Sequence, residues 1–436
     1  MIKISNSIDN QKYELNMDTI TIYNCGPTVY NYVHIGNIRP LITFDVLYRY
    51  LLKINKKVLF YHNITDIDDK IIKAAQENNT TEMKISQKYT KAYLDLFSLL
   101  NIKKMQNPKV SDHIPDIIAY IEKLVEAGYA YVVGSDVYFD VKKIKNYGKI
   151  SHQSIQHLID GVRKENKDNK RYPLDFVLWK ETNEGLNWES PWGQKGRPGW
   201  HTECCVMINK YLGEQITIHG GGVDLKFPHH ENENAQNFAL FKKDIAKYWM
   251  HIGHVNIQNQ KMSKSLNNFI LVKDIVNDKN ANGMRWFFYK TRYQHPINFT
   301  NENLQQSINE IDKLTDALAI AKTILIGNQQ FNDGLCQLDK EFVVAIEDDL
   351  NFPNVVTRLL KLQKELNGLI RQKQFAQSMQ IYSNIVEGLE ILGINLSKYK
   401  HNDYLELIKK WHQASLDKDY ATIDKYREQL KQVKLL

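Results

Sequence analysis

The sequence predicts an α/β protein whose parallel sheet is split by an insertion, followed by an all-α bundle. Three observations predict this class: a strand–helix–strand opening within the first 64 residues, a strand that ends in three glycines near residue 220, and repeated helical patterns after residue 300. With 436 residues, of which 43% are hydrophobic, the chain is long enough for two to four domains.

The opening is predicted to be a βαβ unit. Residues 20–25 and 58–64 are short apolar runs typical of buried strands, and apolar residues recur at helical spacing over 37–53 between them. Two further helical patterns follow, at 82–100 and from 114 to the glycine at 128. Buried strands that alternate with helices favour a parallel sheet.

Residues 129–199 interrupt this pattern and are interpreted as an insertion. They contain a strand-like DVYFDV, a charged loop RKENKDNKR, and WESPWGQKGRPGW, which is irregular and rich in glycine, proline and tryptophan. ITIHGGG at 216–222 then returns to a strand that ends in glycines, and we expect it at another edge of the first sheet. The α/β core is therefore split in sequence.

The C-terminal third is predicted to be a helical bundle. Leu304, Ile308, Ile311 and Leu318 share one face of a helix, and similar segments recur at 339–350, 354–371 and 378–391 and twice after 402.

Composition excludes some classes of protein. The formal net charge of +7 is compatible with a polyanionic partner but is common without one. Residues 1–20 lack a signal-peptide pattern, and no run reaches the roughly 18 apolar residues of a membrane span, so we expect a cytoplasmic protein with no membrane partner. The cysteines Cys25, Cys204, Cys205 and Cys336 are too few for a disulfide framework, which favours metal binding or catalysis.

FPHHENENAQ, residues 227–236, combines histidines and acids after the glycine run. If this stretch is a helix that starts at Pro228, residues four apart share a face, so His229 pairs with Glu233 and His230 pairs with Asn234. Only the first pair can offer an imidazole and a carboxylate to one metal ion. The HExxH pattern of metalloproteases fails at Asn234, and a solvated helix start is the alternative interpretation.

Two further stretches indicate a nucleotide. CGPTVYNYVHIGNIRP, residues 25–40, places glycines and His34 between the first strand and the next helix, where free N–H groups favour phosphate. KMSKS, residues 261–265, can form a loop that closes over a triphosphate, although a short lysine-rich segment is more often a solvated loop. A Walker A motif is excluded because Leu225 replaces its second glycine.

HIGN and KMSKS together resemble the paired signatures of class I aminoacyl-tRNA synthetases. CGPTVYNYVHIGN, NITDIDDKII, DVYFDV, PWGQKGRPGWHTEC, HGGGVDLKFPHHENE and KMSKSLNNF look like the motifs of the cysteinyl-tRNA synthetase family, over nearly the whole chain. The resemblance implies a Rossmann-type catalytic domain in two halves (1–128 and 200–255), a connective insertion (129–199), a KMSKS loop with a stem-contact fold (256–300), a helical bundle (301–395) and a shortened C-terminal anticodon-binding region (396–436).

The resemblance also implies the site residues. The family's zinc ligands match Cys25, Cys204, His229 and Glu233. Its cysteine pocket matches Thr65, Trp200 and Asp224. ATP is expected to contact Gly26, Thr28, His34, Gly36, Asn37, Lys261 and Lys264, of which His34, Asn37 and the two lysines are the expected catalytic residues.

The implied reaction joins L-cysteine and ATP, with Mg²⁺, into cysteinyl-adenylate and pyrophosphate, and then passes the cysteinyl group to the terminal adenosine of tRNA(Cys). One zinc ion per subunit would bind the thiolate of the substrate, which separates cysteine from serine without an editing domain. A monomer is expected.

The sequence departs from the family at several positions. Asn37 stands where the family's signature has a second histidine, so it can donate a hydrogen bond but carries no charge. Cys205 replaces a commoner serine beside Cys204, and KQVKLL stops short of the family's usual tail, so we expect altered anticodon reading. Two rival functions stay open: a related ligase that couples cysteine to an amino sugar, and a non-catalytic RNA-binding relative with a structural zinc.

Overall fold

The structure is a computed structural model that describes residues 1–161, 170–262, 268–332, 334 and 337–436. The strands are β1 Lys3–Ser5, β2 Lys12–Glu14, β3 Thr19–Asn24, β4 Lys57–His62, β5 Ala130–Val133, β6 Asp136–Phe139, β7 Phe176–Glu181, β8 Trp188–Ser190, β9 Gly193–Pro198, β10 Ile216–Gly222, β11 Ala246–Ile252, β12 Val255–Ile257, β13 Gln260–Lys261 and β14 Ile297–Phe299. The helices are α1 Ile35–Lys53, α2 Asp69–Glu77, α3 Glu82–Leu99, α4 Ile114–Glu126, α5 Ile155–Gly161, α6 Trp200–Leu212, α7 Glu231–Phe241, α8 Val272–Ile275, α9 Ala281–Phe288, α10 Asn301–Gly327, α11 Lys340–Glu347, α12 Phe352–Arg371, α13 Phe375–Ile391, α14 Leu405–Leu416 and α15 Tyr420–Gln432. No helix within these ranges is long and apolar enough to cross a membrane.

The central sheet has four parallel strands in the order β11-β10-β3-β4. The N-terminal βαβ unit is β3, α1 and β4, as the sequence predicts. The predicted class, α/β with an all-α C-terminal region, is confirmed.

The expectation that residues 216–222 form an edge strand is wrong. β10 pairs with β3 on one side and with β11 on the other, and its first six residues are buried. A strand covered on both faces is mostly apolar or small, as ITIHGGG is apart from His219, whereas an edge strand tolerates polar residues. The edge is formed instead by β11, which the sequence analysis did not identify.

The segment between α4 and α6 carries its own antiparallel sheet, in the order β5-β6-β7-β9-β8. The stretch taken as irregular, WESPWGQKGRPGW, contains two of these strands, β8 and β9. Its glycines permit close packing: a Cβ at Gly196 would overlap the indole of Trp179 on the neighbouring strand β7. Most of the predicted charged loop, 163–169, lies outside the described residues.

The C-terminal helices α10 to α15 match the predicted segments, and Leu304, Ile311 and Leu318 of α10 are buried as expected. A buried arginine on α9 joins this helical region to the helices that flank the central sheet. Arg285, 1% exposed at its side chain, contacts the Asp45 carboxylate on α1 at 2.6 Å. Its other nitrogens donate to the carbonyl oxygens of Leu100 and Leu392, each at 2.8 Å.

Candidate active site

A cleft of about 340 Å³ opens at the carboxyl ends of the central strands. Asn24 and Cys25 at the end of β3, His62 at the end of β4 and Gly222 at the end of β10 all line it. In the sheet, β4 lies on one side of β3 and β10 lies on the other side. The cleft is therefore at the point where the strand order reverses. Ligands of open parallel sheets bind at such points.

Four side chains converge at the inner end of this cleft: Cys25 after β3, Cys204 on α6, and His229 and Glu233 around the start of α7. One donor atom from each lies within 4.8 Å of all the others. The Cys25 sulfur is 3.8 Å from the Cys204 sulfur, 3.5 Å from His229 Nε2 and 3.7 Å from Glu233 Oε1. These are the four residues that the family resemblance implied, and the described structure brings them together from three separate segments of the sequence.

The helix that carries two of them does not start at Pro228 as predicted. A π-helical turn, Lys226–His230, precedes α7. The expected spacing survives across this junction, because His229 Nε2 lies 2.8 Å from Glu233 Oε1.

The cluster is buried except for Cys25, which is half-buried and faces the cleft. Burial alone would raise the pKa of Glu233, but the imidazoles of His229 and His219 hold it well below its usual range. Burial likewise opposes ionisation of Cys204, yet hydrogen bonds from Cys25 and His229 lower its pKa to about 7. Metal ligands must be deprotonated. A cation would therefore have to displace protons from Cys25, whose thiol pKa is raised by burial, and from His229, whose pKa is raised to about 10 by Glu233 against the effect of burial.

Sequence reasoning missed a second possible donor set, in which His219 and His230 join Cys25 and Glu233. His219, the middle residue of β10, has Nε2 2.6 Å from Glu233 Oε2 and Nδ1 2.9 Å from the carbonyl oxygen of Tyr23. A titratable residue in the middle of a strand that is otherwise apolar or small was the available signal. The two sets share two residues, so they offer one ion alternative positions.

Of the three residues expected to form the amino-acid pocket, two line the cleft and one does not. Trp200 lines the cleft and stacks on the His229 ring, with centroids 4.2 Å apart and planes at 20°. Asp224 lines the cleft in the turn after β10. Thr65 is buried, accepts a hydrogen bond from Asn63 Nδ2 at 3.1 Å, and is not among the described residues that line the cleft.

The opposite end of the cleft is formed by the start of α1. His34 is its N-cap: Nδ1 accepts from the Gly36 N–H at 3.1 Å, and the His34 N–H donates to Asn37 Oδ1 at 3.1 Å. Gly26, Thr28, His34, Gly36 and Asn37 all line the cleft. A Cβ at Gly26 would overlap the carbonyl oxygen of Asn63, so only glycine fits there.

The segment that contains KMSKS is anchored at both ends to this helix start. Met262 approaches Gly36, and residue 271 forms a bridge with His34. The backbone of Lys261 ends β13, but its side chain and all of Lys264 lie outside what the structure describes. Their predicted positions at the phosphates therefore stay predictions.

Arg39, two residues after Asn37, holds the cleft wall. It is buried, and its Nη1 donates to the carbonyl oxygens of Gly253 (2.7 Å) and His254 (3.1 Å), which line the cleft. Its Nη2 donates to the Arg292 carbonyl oxygen at 3.2 Å. This role has no signature in the sequence, because the partners of Arg39 among the described residues are backbone oxygens.

Comparison with known proteins identifies the family of the chain. A family model described as the class I (C) tRNA synthetase catalytic domain matches residues 11–309. Proteins named cysteine–tRNA ligase from Malacoplasma penetrans and Ureaplasma parvum are 47% and 48% identical to this chain. Each match covers the full length of this chain and of the relative. The one from Anoxybacillus flavithermus is 40% identical, over 99% of this chain and 96% of its own.

Among solved structures, a Mycobacterium tuberculosis methionyl-tRNA synthetase in complex with methionyl-adenylate superposes with a TM-score of 0.62 at 12% identity. The match covers 91% of this chain and 94% of that one. At this identity the likeness shows a shared fold.

Proposed function

The chain belongs to the cysteine–tRNA ligase family of class I aminoacyl-tRNA synthetases, and we propose that it selects its amino acid through a zinc ion bound by Cys25, Cys204, His229 and Glu233. It activates cysteine with ATP and transfers it to the 3′-terminal adenosine of tRNA(Cys). The observation that carries the zinc proposal is the convergence of these four donor atoms in one buried cluster beside the cleft.

The donor geometry fits zinc. Ligands at about 2.0–2.3 Å from a tetrahedral zinc ion lie about 3.3–3.8 Å from one another. The Cys25 sulfur lies 3.5–3.8 Å from the Cys204 sulfur, His229 Nε2 and Glu233 Oε1. The Cys204 sulfur lies 3.7 Å from His229 Nε2. The His229–Glu233 distance of 2.8 Å is shorter. Two thiols, an imidazole and a carboxylate are also ligands that zinc accepts.

When bound, zinc would supply a coordination position for the substrate's thiolate. The protein would hold the rest of the amino acid. Trp200 fixes the plane of His229 by stacking and closes one side of the pocket. Asp224 offers a carboxylate to the substrate's ammonium group, and Thr65 supports the wall from behind through its backbone pairing with Thr28. An apolar pocket alone separates near-isosteric side chains by only about 1–3 kcal/mol.

ATP with Mg²⁺ would occupy the end of the cleft at the start of α1. Gly26, Thr28 and Gly36 line this end of the cleft, and the positive end of the α1 helix dipole favours negative charge there. His34 and Asn37 would donate to the phosphates. Lys261 and Lys264 would stabilise the negative charge that develops as pyrophosphate departs.

The tRNA is a polyanion, and the formal net charge of +7 favours its association. The helices α10 to α15 would carry the anticodon contacts. We further propose a monomer located in the cytoplasm, where its tRNA is used.

Two assays on purified protein test this function. We expect cysteine-dependent exchange of pyrophosphate into ATP, and charging of tRNA(Cys) with cysteine. Exchange with serine should be lower by far more than the roughly 10- to 200-fold that a pocket without a metal achieves. Exchange followed by transfer to an amino sugar, with no tRNA charging, would assign the related ligase. RNA binding without any exchange would assign a non-catalytic relative.

A further inference from the structure

A buried carboxamide in the cleft has no partner within the protein. Asn24 is the last residue of β3, lines the cleft and is 0% exposed. Neither its Nδ2 nor its Oδ1 has a hydrogen-bond partner among the described residues. An unpaired buried amide costs about 1–3 kcal/mol, so such groups are normally bonded to protein, water or ligand.

The neighbours of Asn24 in the sheet cannot supply the missing bonds. In register with it are Gly220 on β10, which has no side chain, and His62 on β4. Both ring nitrogens of His62 are already used: Nδ1 lies 2.9 Å from the Asn24 carbonyl oxygen, and Nε2 lies 2.6 Å from the hydroxyl of Tyr93. The carboxamide is therefore available to a molecule in the cleft.

The position of Asn24 indicates which part of a ligand would reach it. It directly precedes Cys25, whose sulfur belongs to the four-donor cluster. The α-carbon of a cysteine is only two bonds from its own sulfur, so a cysteine held at the cluster carries its ammonium and carboxylate groups close to the residue beside Cys25. A carboxamide matches this pair of charges, because it has one acceptor and one donor.

We propose that Asn24 binds the main-chain end of the substrate cysteine, with Oδ1 accepting from the ammonium group and Nδ2 donating to the carboxylate. Asn24 is then a substrate-binding residue in addition to Trp200 and Asp224. This proposal depends on the function proposed above, which wild-type exchange activity tests separately.

The test is Asn24→Leu, which keeps the number and branching of the side-chain heavy atoms and removes both polar atoms. We expect the cysteine KM in pyrophosphate exchange, and the cysteine Kd of the zinc-loaded protein by calorimetry, to rise about 10- to 100-fold, as for lost hydrogen bonds to charged groups. The ATP KM and the zinc content should not change. The Tm should stay equal or rise, because an unpaired buried amide is replaced by an apolar side chain.

Tyr120→Phe is the matched control. It also removes a buried polar atom, the Tyr120 hydroxyl beside the Cys205 thiol, but Tyr120 does not line the cleft. Its cysteine KM should equal that of the wild type. An unchanged cysteine KM in Asn24→Leu would overturn the proposal, and would mean that the Asn24 carboxamide bonds an ordered water instead of the substrate. Equal rises in both KM values with a lower Tm would overturn it in favour of a structural role.

Discussion

Replacing Cys204 with serine is expected to remove the bound zinc and, with it, the activation of cysteine. Cys204 is buried, its thiol pKa is lowered to about 7, and its sulfur lies 3.7 Å from His229 Nε2, so it provides one of two thiolates in the proposed site. A hydroxyl does not ionise there and binds zinc weakly. We expect zinc content after dialysis to fall to background and kcat/KM for cysteine in pyrophosphate exchange to fall by more than about 100-fold, since loss of even an outer-shell partner costs about 10- to 100-fold.

Cys205→Ser is the matched control. Cys205 is the adjacent buried thiol, and its sulfur lies near the carbonyl oxygens of His201 and Glu233 instead of in either donor set of the described structure. This variant should retain zinc and exchange activity. Retention of both by Cys204→Ser, with their loss in His230→Gln, would place the ion in the second donor set and contradict the proposed ligands.

Replacing Arg285 with alanine is expected to cause the largest loss of stability. Its guanidinium is buried and bonds the equally buried Asp45 carboxylate at 2.6 Å. Removal of one partner from a buried ion pair costs about 3–5 kcal/mol when the other charge is left uncompensated. Arg49 Nε lies 2.9 Å from the same carboxylate, so we expect the lower end of this range. The carbonyl oxygens of Leu100 and Leu392 lose their donors as well. Urea denaturation should show the decrease in the free energy of unfolding.

Arg427→Ala provides the comparison for this loss. Arg427 pairs with Asp424 at 3.0 Å, but the two side chains are 46% and 71% exposed, so its removal should change stability by less than about 1 kcal/mol. If Arg285→Ala were no more destabilising than Arg427→Ala, Arg285 would not be the connection between the catalytic core and the C-terminal helices.

Much of the fold was predictable because hydrophobic periodicity is local. The βαβ opening and the C-terminal helices follow from it, and so does the pairing of His229 with Glu233, because residues four apart on a helix meet even across the π-helical turn. The central place of β10 was not predictable, since the order of strands in a sheet depends on contacts between distant segments.

The site shows the same division. Motif resemblance selected Cys25 and Cys204, which spacing alone could not join. His219, Arg39 and Asn24 escaped notice because their roles depend on partners, or on a lack of partners, that only the folded chain defines. Lys261 and Lys264 stay predictions from the motif.

The most direct test of recognition through the metal is the absorption spectrum of the cobalt(II)-substituted protein, since cobalt(II) accepts the same nitrogen and sulfur ligands as zinc. Addition of L-cysteine should intensify the sulfur-to-cobalt charge-transfer band, because a further thiolate binds the ion, and addition of L-serine should leave this band unchanged. A spectrum that does not respond to cysteine, or that responds equally to serine, would contradict selection of the amino acid by its sulfur.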